Sequence, residues 1–262
     1  MIKERLNIIK VGGAIVEDES ALSALLMSFS SLKGLKILVH GGGKKATEMA
    51  GQLGIETRMI DGRRITSAEM LKVVTMVYGG LVNKNVVARL QALGVNALGL
   101  TGADMNVIMS VKRPVEPVNF GYVGDVKYVN VRALVSLLEA GAVPVLAPLT
   151  HDKEGNMLNT NADTIASSVA SALAGKYSVT LTFCSSIPGV LRYLNDPSSL
   201  IKTVTKADFD PMVADGTISE GMIPKLQNAF DAINSGVSRV VITSADNLTG
   251  GTTILTDPET DD

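Results

Sequence analysis

Two apolar runs near the start of the chain each end in glycines and lead straight into a helical pattern. Leu6-Asn7-Ile8-Ile9 runs into Lys10-Val11-Gly12-Gly13, and Leu35-Lys36-Ile37-Leu38-Val39 runs into His40-Gly41-Gly42-Gly43. A buried strand that turns on glycine into a helix is the repeating unit of a parallel α/β sheet. The same turn leaves backbone N–H groups free at a helix N-terminus, where they bind anions and phosphate above all. Two such turns in succession can face one crevice, which points to phosphoryl transfer rather than to a lone phosphate pocket. Lys10 adds a fixed positive charge at the mouth of the first.

The alternation continues along the chain. Hydrophobic spacing predicts strands at 7–11, 36–39, 95–100, 143–147, 179–183, 237–243 and 252–255. It predicts helices at 20–32, 44–53, 131–140, 162–174 and 221–235, several closed by a glycine. Thr66-Ser67-Ala68-Glu69 has the form of a capping box and opens a long helix to about Leu93, and Thr205-Lys206-Ala207-Asp208 has a similar start. Between Val107 and Val131 short apolar runs around glycines predict a hairpin layered on the main sheet. The expected class is α/β with a mainly parallel central sheet. Its two lobes span 1–175 and 176–262, with a site between them.

Composition narrows the function. Apolar residues make up 46% of 262, enough for a sizeable core. A net charge of −2 with no basic block argues against nucleic acid as a partner. The single cysteine, Cys184, excludes an internal disulfide and fits a reducing compartment. No apolar run reaches membrane-spanning length and no signal-like segment follows Met1, so the expectation is a cytoplasmic protein without a membrane partner. The end, 257–262, is short, acidic and expected to be solvated. Dinucleotide, Walker, histidine–thiolate metal and Gly-x-Ser-x-Gly patterns are all missing.

Three polar clusters remain. Asp61-Gly62-Arg63-Arg64-Ile65-Thr66 precedes a helix, where an arginine can clamp a carboxylate in a two-bond fork; a solvated loop is the plainer reading. Asn159-Thr160-Asn161-Ala162-Asp163 opens another helix, and two asparagines plus an aspartate exceed what one cap needs. Gly221-Met222-Ile223-Pro224-Lys225 sets Lys225 one turn into a helix, able to point at the crevice of Lys10 or simply into solvent. His40 reads as a structural hydrogen-bonding residue rather than a base.

Taken in order with the two glycine turns, these segments resemble the amino acid kinase family, over nearly the whole chain from Asn7 to about Leu255. Within it they are similar to the branch that phosphorylates an N-acylated glutamate. The resemblance implies a three-layer αβα sandwich, an N-terminal lobe for the acceptor and dimerisation, and a C-terminal lobe for ATP. It implies transfer of the γ-phosphoryl group to the γ-carboxylate of an N-acylglutamate in arginine biosynthesis. Lys10 and Lys225 would stabilise the moving charge, and Asp163 would hold the two lysines. Gly12, Gly13 and Gly43 would donate N–H groups to phosphates. Arg64 would grip the α-carboxylate, with Asn159 and the Gly42–Gly43 backbone fixing the rest. Ser186, Gly189, Val190, Leu191, Thr217 and Ser219 would meet the nucleotide. Mg²⁺ would arrive on ATP, with no metal ligands from the protein.

The chain departs from the family pattern in three places. Ser186 stands where an aspartate is usual in the nucleotide-lobe turn, which puts nucleotide contacts in doubt. Lys44 and Lys45 follow the triple glycine and oppose the helix dipole. They would be useful if the acyl group carried an extra negative charge, as in N-succinylglutamate. No long helix precedes Leu6, which by resemblance implies a homodimer weakly inhibited by arginine. Two alternatives stay open: a related kinase acting on aspartate, glutamate, carbamate or UMP, and a catalytically weakened regulatory homologue.

Overall fold

The computed structural model describes residues 3–60, 62–193, 195–218 and 222–256, the side chain of Pro224 aside. The chain runs through β1 (Arg5–Val11), α1 (Gly13–Glu17), α2 (Glu19–Ser31), β2 (Leu35–His40), α3 (Gly43–Gln52), β3 (Arg58–Ile60) and β4 (Arg63–Ile65). Next come α4 (Ala68–Val74), a π-helical segment (Thr75–Val82), α5 (Asn83–Ala92), β5 (Ala97–Leu100), β6 (Ile108–Lys112), β7 (Gly124–Val129) and α6 (Val131–Glu139). They are followed by β8 (Val143–Leu146), β9 (Leu149–His151), β10 (Met157–Asn159), α7 (Ala162–Leu173) and β11 (Ser178–Ser185). The last elements are β12 (Thr203–Val204), α8 (Lys206–Ala214), α9 (Ile223–Asn234), β13 (Arg239–Ser244) and β14 (Thr252–Ile254).

Eight strands form the main sheet in the order β12-β14-β13-β11-β1-β2-β8-β5. Its pairings are parallel except β13 with β14. Strand alternation sends successive side chains to opposite faces. Leu6 and Ile8 of β1 join a core with Ile165 and Val169 of α7 and Leu226 and Phe230 of α9. Ile9 and Val11 join a second core with Leu25 and Phe29 of α2, Ala46 of α3 and Val73 of α4. The result is the three-layer α/β arrangement expected from the family resemblance. Lys10 shares its parity with Leu6 and Ile8, so it leaves the sheet on the α7 side.

Local departures from the predicted elements have local causes. The glycine turn after β1 feeds the short helix α1, which Asp18 separates from α2. The long helix begins one residue later than its capping box implies. Ser67, not Thr66, is the N-cap, and its hydroxyl accepts from the Met70 N–H at 3.2 Å. Thr66 is fully buried and accepts instead from the Asn159 side chain. Midway, the helix widens into the π segment around Gly79 and Gly80. The predicted hairpin is β6–β7, but it belongs to a separate four-stranded sheet, β10-β9-β6-β7. β3 and β4 pair antiparallel as a third, two-stranded sheet. The predicted helix start at Gly221 lies outside the described residues, and so does the acidic end, 257–262.

Candidate active site

The site forms beyond the C-terminal ends of β1, β2 and β11, the edge at which parallel sheets place their ligands. β1 lies between β2 and β11, so the turn after Val11 sits beside the turn after His40 and beside Cys184. The Gly12 N–H donates to the Cys184 carbonyl at 3.2 Å and the Gly41 N–H to the Val11 carbonyl at 3.0 Å. The turns touch: a Cβ on Gly41 would lie 2.9 Å from the Gly13 nitrogen, and one on Gly13 would lie 3.3 Å from the Gly43 nitrogen. Gly13 and Gly43 open α1 and α3, so their N–H groups have no helical acceptor. Both predicted phosphate-binding turns therefore converge on one point.

His40 fixes the second turn from beneath. Its ring is fully buried. Nε2 accepts from the Asn83 side-chain amide at 3.1 Å, which leaves Nδ1–H to donate to the Gly41 carbonyl at 2.8 Å. Burial holds its pKa down at about 4. His40 is therefore a neutral structural residue, in line with its reading from sequence.

Charge gathers on the α7 side. Lys10 Nζ lies 2.9 Å from Asp163 Oδ1 in a mostly buried pair. Lys225, in the first turn of α9, is within electrostatic reach of Asp163, Lys10 and Cys184. Burial lowers its pKa, and Asp163 offsets part of that shift. The same environment shows in Cys184, whose thiol is pushed up to about 12 by burial despite both lysines. The polar cluster before α7 divides its work. Asn161 caps the helix by accepting from the Asp163 and Thr164 N–H groups. Asp163 pairs with Lys10, Thr160 bonds to the Thr150 hydroxyl, and Asn159 donates to Thr66.

Next to the turns lies a cavity of about 300 Å³, walled by Gly41–Gly43, Arg64, Tyr78, Arg113 and Asn159. Arg64 is 7% exposed, which removes the solvated-loop reading. Its Nη2 donates to the Gly43 carbonyl at 2.7 Å and to the Thr47 hydroxyl at 2.9 Å. That anchors the guanidinium on the first turn of α3. Sequence reasoning missed Tyr78 and Arg113. Tyr78 projects from the π segment onto Gly42, whose Cβ would lie 3.2 Å from the ring. Its phenol pKa is raised by burial, with the Arg64 guanidinium acting against that shift. The glycine pair Gly79-Gly80, costly inside a helix, was the available signal for an irregular segment there.

The residues assigned to the nucleotide are more scattered. Ser186 is exposed and lines a groove with Asp18 and Asp246. Val190 and Leu191 are buried, and Gly189, at φ +149°, lets the chain pass close to Thr252. The Val190 N–H donates to the Thr252 hydroxyl. These contacts shape the lobe rather than open its surface. The Thr217 N–H donates to Asp215 in a turn after α8, and Ser219 lies outside the described residues. Lys44 and Lys45 do not line the cavity of Arg64. They face a different groove with Glu17, Glu48 and Arg89, and Lys45 pairs with Glu48. The sequence basis for an anionic acyl group thus falls away at these two positions.

No helix among the described residues is long and apolar enough to cross a membrane. The family model described as "Amino acid kinase family" matches residues 5–244. The chain is 62% identical over 244 residues to an acetylglutamate kinase of Bacteroides thetaiotaomicron, covering 93% of this chain and 95% of that one. It is 60% identical over 255 residues to an acetylglutamate kinase of Bacteroides fragilis, covering 97% and 98%. Among solved structures it is similar to smu.665 of Streptococcus mutans, with a TM-score of 0.79, 30% identity, and coverage of 96% and 99%.

Proposed function

Because the chain belongs to the amino acid kinase family, we propose that its cleft transfers the γ-phosphoryl group of ATP to the γ-carboxylate of N-acetylglutamate, a step of arginine biosynthesis. One observation carries this reading to particular residues. The Lys10–Asp163 pair, with Lys225 beside it, stands next to two touching glycine turns, and Gly13 and Gly41–Gly43 of those turns wall a cavity together with Arg64 and Asn159.

The roles follow from charge. A carboxylate nucleophile carries no proton at neutral pH, so the site needs no general base. Negative charge spreads over the equatorial oxygens of the moving group, and positioning plus electrostatics supply the rate. Lys10 and the N–H groups of Gly13 and Gly43 meet that charge on the acceptor side; the Gly12 N–H, expected from sequence to join them, is taken by the Cys184 carbonyl. Lys225 meets it on the leaving β-phosphate side. Asp163 holds the lysines apart and aimed by charge-assisted bonds. Arg64 receives the substrate α-carboxylate, and Asn159 with the Gly42–Gly43 backbone orients the remainder. Mg²⁺ rides on the nucleotide phosphates, since Asp163 is already engaged by Lys10.

The N-terminal half, 1–175, holds the acceptor, and 176–262 holds the nucleotide, with Ser186, Gly189, Val190, Leu191 and Thr217 forming or backing that surface. The protein works in the cytoplasm as a homodimer. The exposed apolar side chains of Met76, Leu81 and Leu98 support such pairing. The deciding experiment is a coupled ADP-release assay with N-acetylglutamate, glutamate, aspartate or no acceptor. ADP release dependent on the acylated substrate is expected. Equal release with free glutamate would point to a different acceptor, and no release in any arm would favour a regulatory homologue.

A further inference from the structure

The two-donor grip expected of Arg64 is already used by the protein. Either paired edge of a guanidinium, Nε with Nη2 or Nη1 with Nη2, includes Nη2. Both hydrogens of Arg64 Nη2 are taken, one by the Gly43 carbonyl at 2.7 Å and one by the Thr47 hydroxyl at 2.9 Å. Nη1 makes long contacts, 3.4 Å to the Thr57 hydroxyl and 4.0 Å to the Met70 sulfur, which hold it weakly. Arg64 can therefore offer an incoming carboxylate one strong bond without letting go of α3. A carboxylate has two oxygens to satisfy, so the second calls for a donor from another residue.

Tyr78 stands at that place. It is 5% exposed and borders the same cavity. Its ring is packed against the Gly42 backbone: a Cβ on Gly42 would lie 3.2 Å from Cδ1 and 3.4 Å from Cε1. The π segment that carries Tyr78 leads straight into Asn83, whose amide holds His40 beneath the Gly41 carbonyl. Ring and glycine turn are thus set by one stretch of helix. The phenol lies within hydrogen-bonding reach of the Arg64 guanidinium. A guanidinium only donates, so the phenol oxygen accepts there and its own hydrogen is left to donate. A bond accepted from a cation polarises the hydroxyl and strengthens the one it gives. Burial raises the phenol pKa, so the hydrogen is kept at neutral pH.

We propose that Tyr78 is the second donor to the substrate α-carboxylate, with Arg64 on one oxygen and the Tyr78 hydroxyl on the other. This rests on the N-acetylglutamate reading of the same cavity. Tyr78 is then a specificity residue for acceptors that carry a carboxylate on the α-carbon.

The test measures kcat and KM for N-acetylglutamate in the wild type and in Tyr78→Phe, which keeps the ring on Gly42 and removes the hydroxyl. It adds 4-acetamidobutyrate as a competitive inhibitor, a molecule that keeps the γ-carboxylate and the acetamide but lacks the α-carboxylate. Tyr78→Phe should raise KM for N-acetylglutamate by about ten-fold or more and change kcat by less than about three-fold, as expected for one hydrogen bond to a charged group made at binding. The inhibition constant of 4-acetamidobutyrate should differ by less than about two-fold between the two proteins, since no such bond is lost. A merely structural role for the ring would weaken both ligands alike. An unchanged KM in Tyr78→Phe, or a parallel loss of affinity for 4-acetamidobutyrate, would overturn the proposal while the wild type still turns over N-acetylglutamate. A wild type that turns over no N-acetylglutamate would overturn the acceptor reading and the proposal with it.

Discussion

At the scale of single residues, the site depends on where a charge meets the sheet. Lys10 continues the parity of Leu6 and Ile8, yet it ends at the open edge, where Asp163 receives it. Lys10→Ala should lower kcat on the order of a hundred-fold or more, equivalent to about 2–4 kcal/mol in the barrier, with KM changed far less. Steady-state kinetics on the purified variant checks this; a normal kcat would end the assignment. The role proposed for Lys225 needs the charged ammonium, and burial lowers its pKa. The rate should therefore fall as pH rises through a point below the ordinary lysine value. Lys225→Arg should move that alkaline limb upward in a pH–kcat profile. His40 gives a stability counterpart. Its ring stays neutral in the fold down to about 4, while the unfolded chain binds a proton near 6.5. Its contribution is fully present above about pH 6.5 and is lost as pH falls toward 4, by roughly 3 kcal/mol. Denaturant unfolding across that window should show this loss in the wild type and less of it in His40→Gln.

At the scale of elements, the two glycine turns act as one unit. A methyl at position 41 would strike the backbone of Gly13, and neither side has a flexible end that can yield. Gly41→Ala should therefore lower the melting temperature and the turnover together, whereas Gly51→Ala, inside α3 with open space around it, should raise the melting temperature slightly and leave turnover unchanged. Calorimetry and the coupled assay on the two variants make the comparison. These turns were legible in the sequence because glycine after a buried strand has few structural meanings, and the main sheet was legible because its inner strands are apolar on both faces. The small hairpins were not. β3, β4, β9 and β10 have three residues each, too short for a period to show. The cap at Thr66 misled because the hydroxyl serves a distant partner, Asn159, rather than its own helix. Tyr78 and Arg113 stayed hidden for a related reason: a lone aromatic in a helix and a lone arginine after a strand carry no spacing signal. Only tertiary placement turns them toward the cavity.

At the scale of the whole molecule, exposed apolar side chains and a covered sheet edge bear on the proposed pairing of copies. β5 is the outer strand on that side, and side chains of α5 already cover it: Gln91 donates to the Ala97 carbonyl and Lys84 to the Gly99 carbonyl. Such covering discourages strand-to-strand addition. Contact between copies should instead run through the π segment and α5. Leu81→Glu with Met76→Glu should shift sedimentation from dimer to monomer, and a dimer that survives both would place the interface elsewhere. The position of β1 has a different consequence. It is made first but takes its second neighbour, β11, only after the chain has passed residue 178. During synthesis the early half must therefore emerge with one apolar strand flank open, while its missing neighbour is still inside the ribosome. Nascent chains of this topology should be clients for trigger-type chaperones until the seam closes, and no cut between the halves would yield two pieces able to mature alone.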